Sequence, residues 1–149
     1  MNRAQRRAAG KRSNCRTAPV PAYLSRMEVI RLLLTPRAAL DRLAATNRID
    51  TDDLGALECL VHLTERYSIA ADVDCPDTVM LRGLVQQIGS GVPVLVEHIE
   101  RCRAEIDAIA PWLQTIPRAI QKQVQQAMLP EVEAAVRTDE IRRLVEATA

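Results

Sequence analysis

The feature that most constrains this chain is a run of apolar residues spaced alternately four and three residues apart in its C-terminal half. These residues, which we call the 95–120 seam, are Leu95, Ile99, Cys102, Ile106, Ile109, Leu113, Ile116 and Ile120. Such spacing keeps the side chains on one side of an α-helix, whereas the side chains of a strand repeat every two residues. Pro111 and Pro117 interrupt the run, and each removes a backbone donor. The pattern predicts either one helix kinked twice or two helices that continue along a common core.

The composition favours helices in the remainder of the chain as well. There is no Phe, one Trp and two Tyr among 149 residues, so aliphatic side chains must fill the core. Leu and Ala are good helix formers, whereas sheets are enriched in aromatic and β-branched residues. We expect an all-α protein, a bundle of roughly five to seven helices with a long, proline-interrupted, heptad-like C-terminal half.

Prolines and polar residues predict the helix boundaries in the first half of the chain. Apolar residues from Leu24 to Leu34 recur at helical spacing and predict a first helix. Thr35 followed by Pro36 is typical of an N-cap and the first position of a helix. We therefore expect a second, short helix to begin there and to reach about Asn47.

Capping residues and prolines also predict where the later helices begin. Thr51 is expected to cap a third helix, because the acidic residues that follow it interact favourably with the helix dipole. A fourth helix is expected from Asp77 to Ile88. Pro93 is expected to open the helix that carries the 95–120 seam, and a last helix is expected over residues 130–147.

The first 22 residues, which we call the basic tail, differ from the rest of the chain. Their cations are Arg3, Arg6, Arg7, Lys11, Arg12 and Arg16, with no acidic residue among them. We expect a disordered tail over residues 1–22 and a helical domain over residues 23–149. Such a tail can neutralise nucleic-acid phosphates, but without aromatic residues it would position the protein rather than read a base sequence. The alternative is a solvated tail that makes transient acidic contacts.

Two cysteine and histidine pairs are candidate metal ligands. Cys59 and His62 lie three residues apart in one predicted helix, and His98 and Cys102 lie four apart in another. If the two helices face each other, the pairs offer two thiolates and two imidazoles to a tetrahedral zinc ion. The alternative is a pair of packed cysteines with surface histidines, because the spacing matches no compact zinc motif. We expect no cofactor.

The sequence carries no motif for catalysis, secretion or membrane insertion. It has no serine in a Gly-x-Ser-x-Gly elbow, and residues 89–91 lack the Lys that would follow in a phosphate-binding loop. The longest uncharged run, residues 83–96, is too short and polar to span a bilayer. No secretory segment precedes the four cysteines, which favours reduced thiols in a cytoplasm.

The start and the early helices of the chain resemble a known type of protein. The Arg- and Ala-rich residues 1–8, followed by the helical segments at 38–43 and 51–57, are similar to small phage- and prophage-encoded bacterial proteins. The resemblance covers roughly residues 1–88. It implies an accessory role in the cytoplasm of a bacterium or a phage-infected cell, and it assigns no functional residue.

We therefore expect a non-enzymatic accessory or regulatory binding protein. Side chains of the 95–120 seam that remain exposed would pack against a protein partner or a second copy, and the basic tail would contact nucleic acid. The first alternative is a homo-oligomeric structural or scaffold component of a phage particle. The second alternative is a zinc-binding regulator built on the four cysteine and histidine residues.

Overall fold

The computed structural model describes residues 19–148, and within them it contains five helices and no strand. The helices are α1 (Arg26–Thr46), α2 (Thr51–Ala71), α3 (Val79–Gly89), α4 (Val96–Leu113) and α5 (Arg118–Thr148). The expected all-α bundle is confirmed for this part of the chain. The first 18 residues of the basic tail lie outside the described residues, so the expectation of disorder there stays a prediction.

Helix α1 passes through Pro36 without a break, so the prediction of two helices separated at Thr35 is wrong. The helix begins after Ser25, whose hydroxyl accepts a hydrogen bond from the Glu28 amide while the Glu28 carboxylate accepts one from the Ser25 amide. Pro36 removes one backbone hydrogen bond, but its ring is buried together with the Leu33 and Leu40 side chains. Tertiary packing on both sides of the proline offsets the lost bond.

The starts of α2 and α3 also differ from the predictions. Asp50 rather than Thr51 caps α2, because the Asp50 carboxylate accepts a hydrogen bond from the Asp53 amide at 2.8 Å. Helix α3 begins at Val79, not at Asp77, and its N-cap residue provides no side-chain hydrogen bond.

A carboxylate from another helix caps α3 instead. Glu105, on α4, accepts hydrogen bonds from the Met80 amide at 2.9 Å and the Leu81 amide at 2.8 Å. Asp77 accepts a third from the Val79 amide at 3.0 Å. Three amides that the helix itself leaves unpaired are thereby satisfied, two of them by a residue about 25 positions away in sequence.

The 95–120 seam forms the centre of the core. Helix α4 packs against α1 and α3, while α2 packs against α1, α3 and α5. The Ile106, Ile109 and Ile116 side chains are completely buried. The two prolines of the seam lie where α4 ends and α5 begins, so of the two predicted arrangements the chain adopts two helices. Pro93 does not open α4, which begins at Val96 after Leu95.

Arg118 fixes the position of α5 relative to α1. Its guanidinium binds both carboxylate oxygens of Glu28 at 2.9 Å and donates to the carbonyl oxygens of Pro21 and Tyr23. The Arg118 amide also donates to the carbonyl oxygen of Ala22 at 2.7 Å. The start of α5 is therefore held against the segment that leads into α1.

Helix α5 is longer than predicted, because it runs through Pro130 rather than beginning there. Its first part is held by Arg118 and by the buried Val124, and Glu131 pairs with Arg66 on α2 at 2.7 Å. From Leu129 onwards, every side chain of α5 whose exposure is described is exposed. No helix among the described residues is long and apolar enough to cross a lipid bilayer.

Acid should weaken the fold through Glu28. Hydrogen bonds from Arg118 and Ser25 lower the pKa of Glu28 from 4.5 to about 2. Since the folded pKa is the lower one, the ionised carboxylate stabilises the fold fully above about pH 4.5, and this contribution disappears as the pH falls towards 2. We expect Glu28→Gln to melt at a lower temperature than the wild type at pH 7.

The difference in melting temperature between Glu28→Gln and the wild type should shrink as the pH falls from about 4.5 to about 2. Circular dichroism melts at several pH values measure it. Glu133→Gln, at an exposed position on α5, is the matched control and should follow the wild-type profile throughout. A gap between Glu28→Gln and the wild type that stays constant with pH would contradict the assignment.

Truncation of the buried seam should destabilise the single chain. Ile106→Ala removes a fully buried side chain from α4, and we expect it to lower the free energy of unfolding by about 2–5 kcal/mol. Ile69→Ala, on the exposed side of α2, should change it by less than about 0.5 kcal/mol. Urea unfolding followed by circular dichroism measures both, and equal small changes would show that the seam is not core.

Candidate functional site

The 95–120 seam does not form the exposed interface that the sequence predicts. Five of its seven candidate interface residues are buried within the chain: Ile99, Ile106, Ile109, Leu113 and Ile116. Ile120 is partly buried against the same core, and Leu95 alone among the seven is mostly exposed. The expectation that these side chains remain available to a partner is wrong, because α1 and α3 already cover them.

The four candidate zinc ligands do not converge. Cys102 is buried in the core, whereas His98 lies beside α3, with its Nδ1 atom 3.3 Å from the Gln87 amide oxygen. His62 faces a shallow cleft towards α3, and Cys59 faces α1 on the other side of α2. No group of three potential ligands occurs among the described residues. The zinc hypothesis is therefore wrong for these residues.

The basic-tail candidates, Arg3, Arg6, Arg7, Lys11, Arg12 and Arg16, lie outside the described residues. Their contact with nucleic acid stays a prediction.

An exposed apolar strip lies on the outer side of α1. Met27, Ile30 and Leu34, which we call the α1 strip, follow one another at intervals of three and four residues and are 59%, 39% and 62% exposed. Tyr23, half exposed, immediately precedes the helix. Arg26 and Arg31 flank the strip, and neither forms an ion pair with any part of the chain that the structure describes. The strip therefore combines unburied apolar area with positive edges.

The sequence pattern included these residues but assigned them no role. The spacing from Leu24 to Leu34 predicted a first helix and did not indicate which side of it faces the core. The buried side of α1 carries Val29, Leu33 and Leu40. The expected break at Thr35 hid this second pattern, because the pattern runs across Pro36 and is recognisable only when the helix is continuous.

A second candidate is an apolar chamber between α1, α2 and α5. Helices α1 and α5 both pack on α2 but do not pack along each other, which leaves a furrow between them. Within it lies a cavity of about 190 Å³. Its lining is Leu32, Leu33, Thr35, Pro36, Ala56, Cys59, Leu60, Leu63, Thr64, Tyr67, Leu113 and Gln125. Sequence reasoning gave no indication of the chamber, since its walls come from four helices.

Two hydrogen bonds engage polar groups of the chamber. The Gln125 amide donates to the Tyr67 hydroxyl oxygen at 2.9 Å, and the Thr64 hydroxyl donates to the Leu60 carbonyl oxygen at 2.7 Å. Burial raises the pKa of the Cys59 thiol, which keeps it neutral. The chamber therefore presents a nearly uncharged, apolar surface.

The mouth of the furrow is cationic. A cleft adjoining the chamber at Leu32 and Gln125 is lined also by Arg31, Arg118 and Lys122. Arg118 is occupied by Glu28, whereas neither Arg31 nor Lys122 pairs with an acid within residues 19–148. The furrow therefore combines an apolar chamber with a mouth where the positive charges of Arg31 and Lys122 have no acidic partner in the part of the chain that the structure describes.

In comparisons with protein families, curated proteins and solved structures, the chain has no match.

Of the three described cysteines, Cys102 should differ sharply in reactivity from the other two. Burial, with a contribution from Glu105, raises the pKa of Cys102 to about 12, and its side chain is inaccessible. Cys59 and Cys75 are exposed. We expect iodoacetamide to alkylate Cys59 and Cys75 in the native chain, and Cys102 only after denaturation. Peptide mass spectrometry measures this, and native labelling of Cys102 at the rate of Cys75 would contradict the packing described.

Proposed function

We propose that this protein is a non-enzymatic accessory binding protein that docks a protein partner on the α1 strip. The observation that carries the proposal is the exposure of Met27, Ile30 and Leu34 at helical spacing. Contiguous apolar area of this kind is typical of a helix that receives another element in an interface. The surface differs from the seam that the sequence predicts, but the mode of action, occupancy of a helical face, is the same.

The charges beside the strip favour a partner other than a second copy. Self-pairing of two strips would bring arginines close to arginines on both edges, and like charges at such an interface are destabilising. The one nearby acid on α1, Glu28, is already paired with Arg118. A helix with an apolar face and acidic edges complements the strip in both respects.

The basic tail supplies a second, electrostatic contact in this proposal. It ends shortly before the strip in sequence, so a protein partner and a nucleic acid would be held near each other. Six cations and no acid within residues 1–16 support phosphate neutralisation. The resemblance to small phage- and prophage-encoded proteins supports a setting in the cytoplasm of a bacterium or a phage-infected cell.

The alternative, a homo-oligomeric structural or scaffold component, is favoured by a different observation. Leu129, Val132, Val136 and Ile141 on α5 are 48–62% exposed, and the last three follow the Glu131 residue that pairs with Arg66 on α2. An apolar helix segment without covering elements can join copies. In this alternative α5, not the buried seam, connects the subunits.

Site-specific photo-crosslinking tests the main proposal. A photoreactive phenylalanine analogue at position 30 should crosslink a distinct protein in an extract of the source cells, whereas the analogue at position 69 should not. Ile69 is the matched control because it is also exposed and apolar but lies on α2. Excess unlabelled wild-type chain should compete for the crosslink, and excess Met27→Asp chain should not.

The controls separate the roles of strip, tail and α5. Crosslinking at position 30 that survives nuclease treatment supports a direct protein contact. The absence of a crosslink from position 30, together with a solution mass that Val136→Asp returns to that of a monomer, supports the scaffold alternative instead, because α5 joins the copies there. The same products from positions 30 and 69 would overturn the proposal.

A further inference from the structure

We propose that the furrow between α1 and α5 is a binding site for an anionic amphiphile, a monocarboxylate with an unbranched chain of about eight carbons. The chain would occupy the apolar chamber, and the carboxylate would lie between Arg31 and Lys122 at the mouth. This site is distinct from the α1 strip, and the inference does not depend on the proposed function.

The chemistry of the chamber requires an apolar guest. A polar ligand group placed there would lose its water against walls that are almost entirely hydrocarbon, since the Tyr67 hydroxyl oxygen already accepts from Gln125 and the Thr64 hydroxyl already donates to a backbone carbonyl oxygen. A hydrocarbon chain gives up no hydrogen bond on entering and removes apolar wall from water. The walls therefore select against polar ligands and accept alkyl chains.

The size of the chamber sets the length of the chain. An apolar cavity of roughly 150 Å³ accommodates benzene. The chamber, at about 190 Å³ and open towards the mouth, is somewhat larger. A linear chain of about six to eight carbons is the corresponding guest.

The mouth of the furrow determines the charge of the head group. Arg31 and Lys122 are exposed and have no acidic partner within the described chain. The Glu28 carboxylate, which also lines the cleft, is neutralised by two hydrogen bonds from Arg118. A bound carboxylate would therefore meet a net positive environment and could accept charge-assisted hydrogen bonds.

Titration calorimetry of the full chain with octanoate tests the site. Butyrate has the same head group with a chain too short for the chamber, and 1-octanol has the chain without the charge. We expect saturable binding of octanoate, at least tenfold weaker binding of 1-octanol, and none of butyrate at the same concentration. Equal heats for octanoate and butyrate, or no octanoate binding, would overturn the proposal.

Cysteine protection gives a second readout with an internal control. Cys59 lines the chamber and Cys75 does not. Saturating octanoate should slow alkylation of Cys59 at least tenfold and leave Cys75 unchanged. Equal slowing of both thiols would indicate a general effect on the reagent or the fold and would overturn the assignment.

Two kinds of variant locate the ligand. Ala56→Phe fills the chamber and should abolish octanoate binding, whereas Ala70→Phe, at an exposed position of α2, should preserve it. The double variant Arg31→Gln with Lys122→Gln changes surface residues and leaves the core intact. This double variant should bind octanoate at least tenfold more weakly than the wild type and should bind 1-octanol with unchanged affinity.

Two further variants serve as controls, one for the loss of a surface charge and one for a change in the α1 strip. Arg101→Gln, on exposed α4 surface, should bind octanoate as the wild type does. Met27→Asp should also bind octanoate as the wild type does. The proposal for the α1 strip and the proposal for the chamber can therefore fail independently of each other. Wild-type affinity for octanoate in both Ala56→Phe and the double mouth variant would place the ligand elsewhere and refute the inference.

Discussion

Burial of the isoleucine-rich side of α4 is the interaction on which the remaining architecture depends. The chain has no Phe, and Tyr67 is the one aromatic side chain among the buried core residues that the structure describes, so aromatic side chains supply little of the core. Close packing must come from branched aliphatic side chains at regular helical spacing. Ile106 and Ile109 provide it, fully enclosed between helices. Once α1 and α3 cover α4, α2 completes the core and α5 follows from the position of Arg118.

The sequence predicted the helical class and the spacing of the core residues correctly. The predictions were wrong at helix boundaries that tertiary contacts determine. Pro36 and Pro130 were read as helix starts because local rules place proline there. Buried neighbours keep the helix continuous through Pro36, and local sequence rules do not take such tertiary contacts into account. The regular spacing of the 95–120 seam was also correct, but spacing alone does not distinguish packing within a chain from packing between chains.

The candidate sites were less accessible to prediction than the fold. The α1 strip was visible as a helical pattern but could not be recognised as exposed, because the core side of α1 crosses the misplaced boundary at Thr35. The chamber combines side chains such as Leu32, Cys59 and Gln125 from different helices, and no sequence spacing relates them. The cysteine and histidine pairs had suitable spacing, yet α2 and α4 do not turn them towards a common point.

The cap that Glu105 provides makes α3 conditional on α4. An isolated helix of 11 residues is marginal in water, and α3 lacks a side-chain cap from its own N-cap residue. It therefore gains its first turn only when α4 is already in place beside it. During folding, α3 is expected to form late, and in the native state the two helices open and close as one cooperative unit. A carboxylate on one helix thus ties the first turn of another helix to the contact between them.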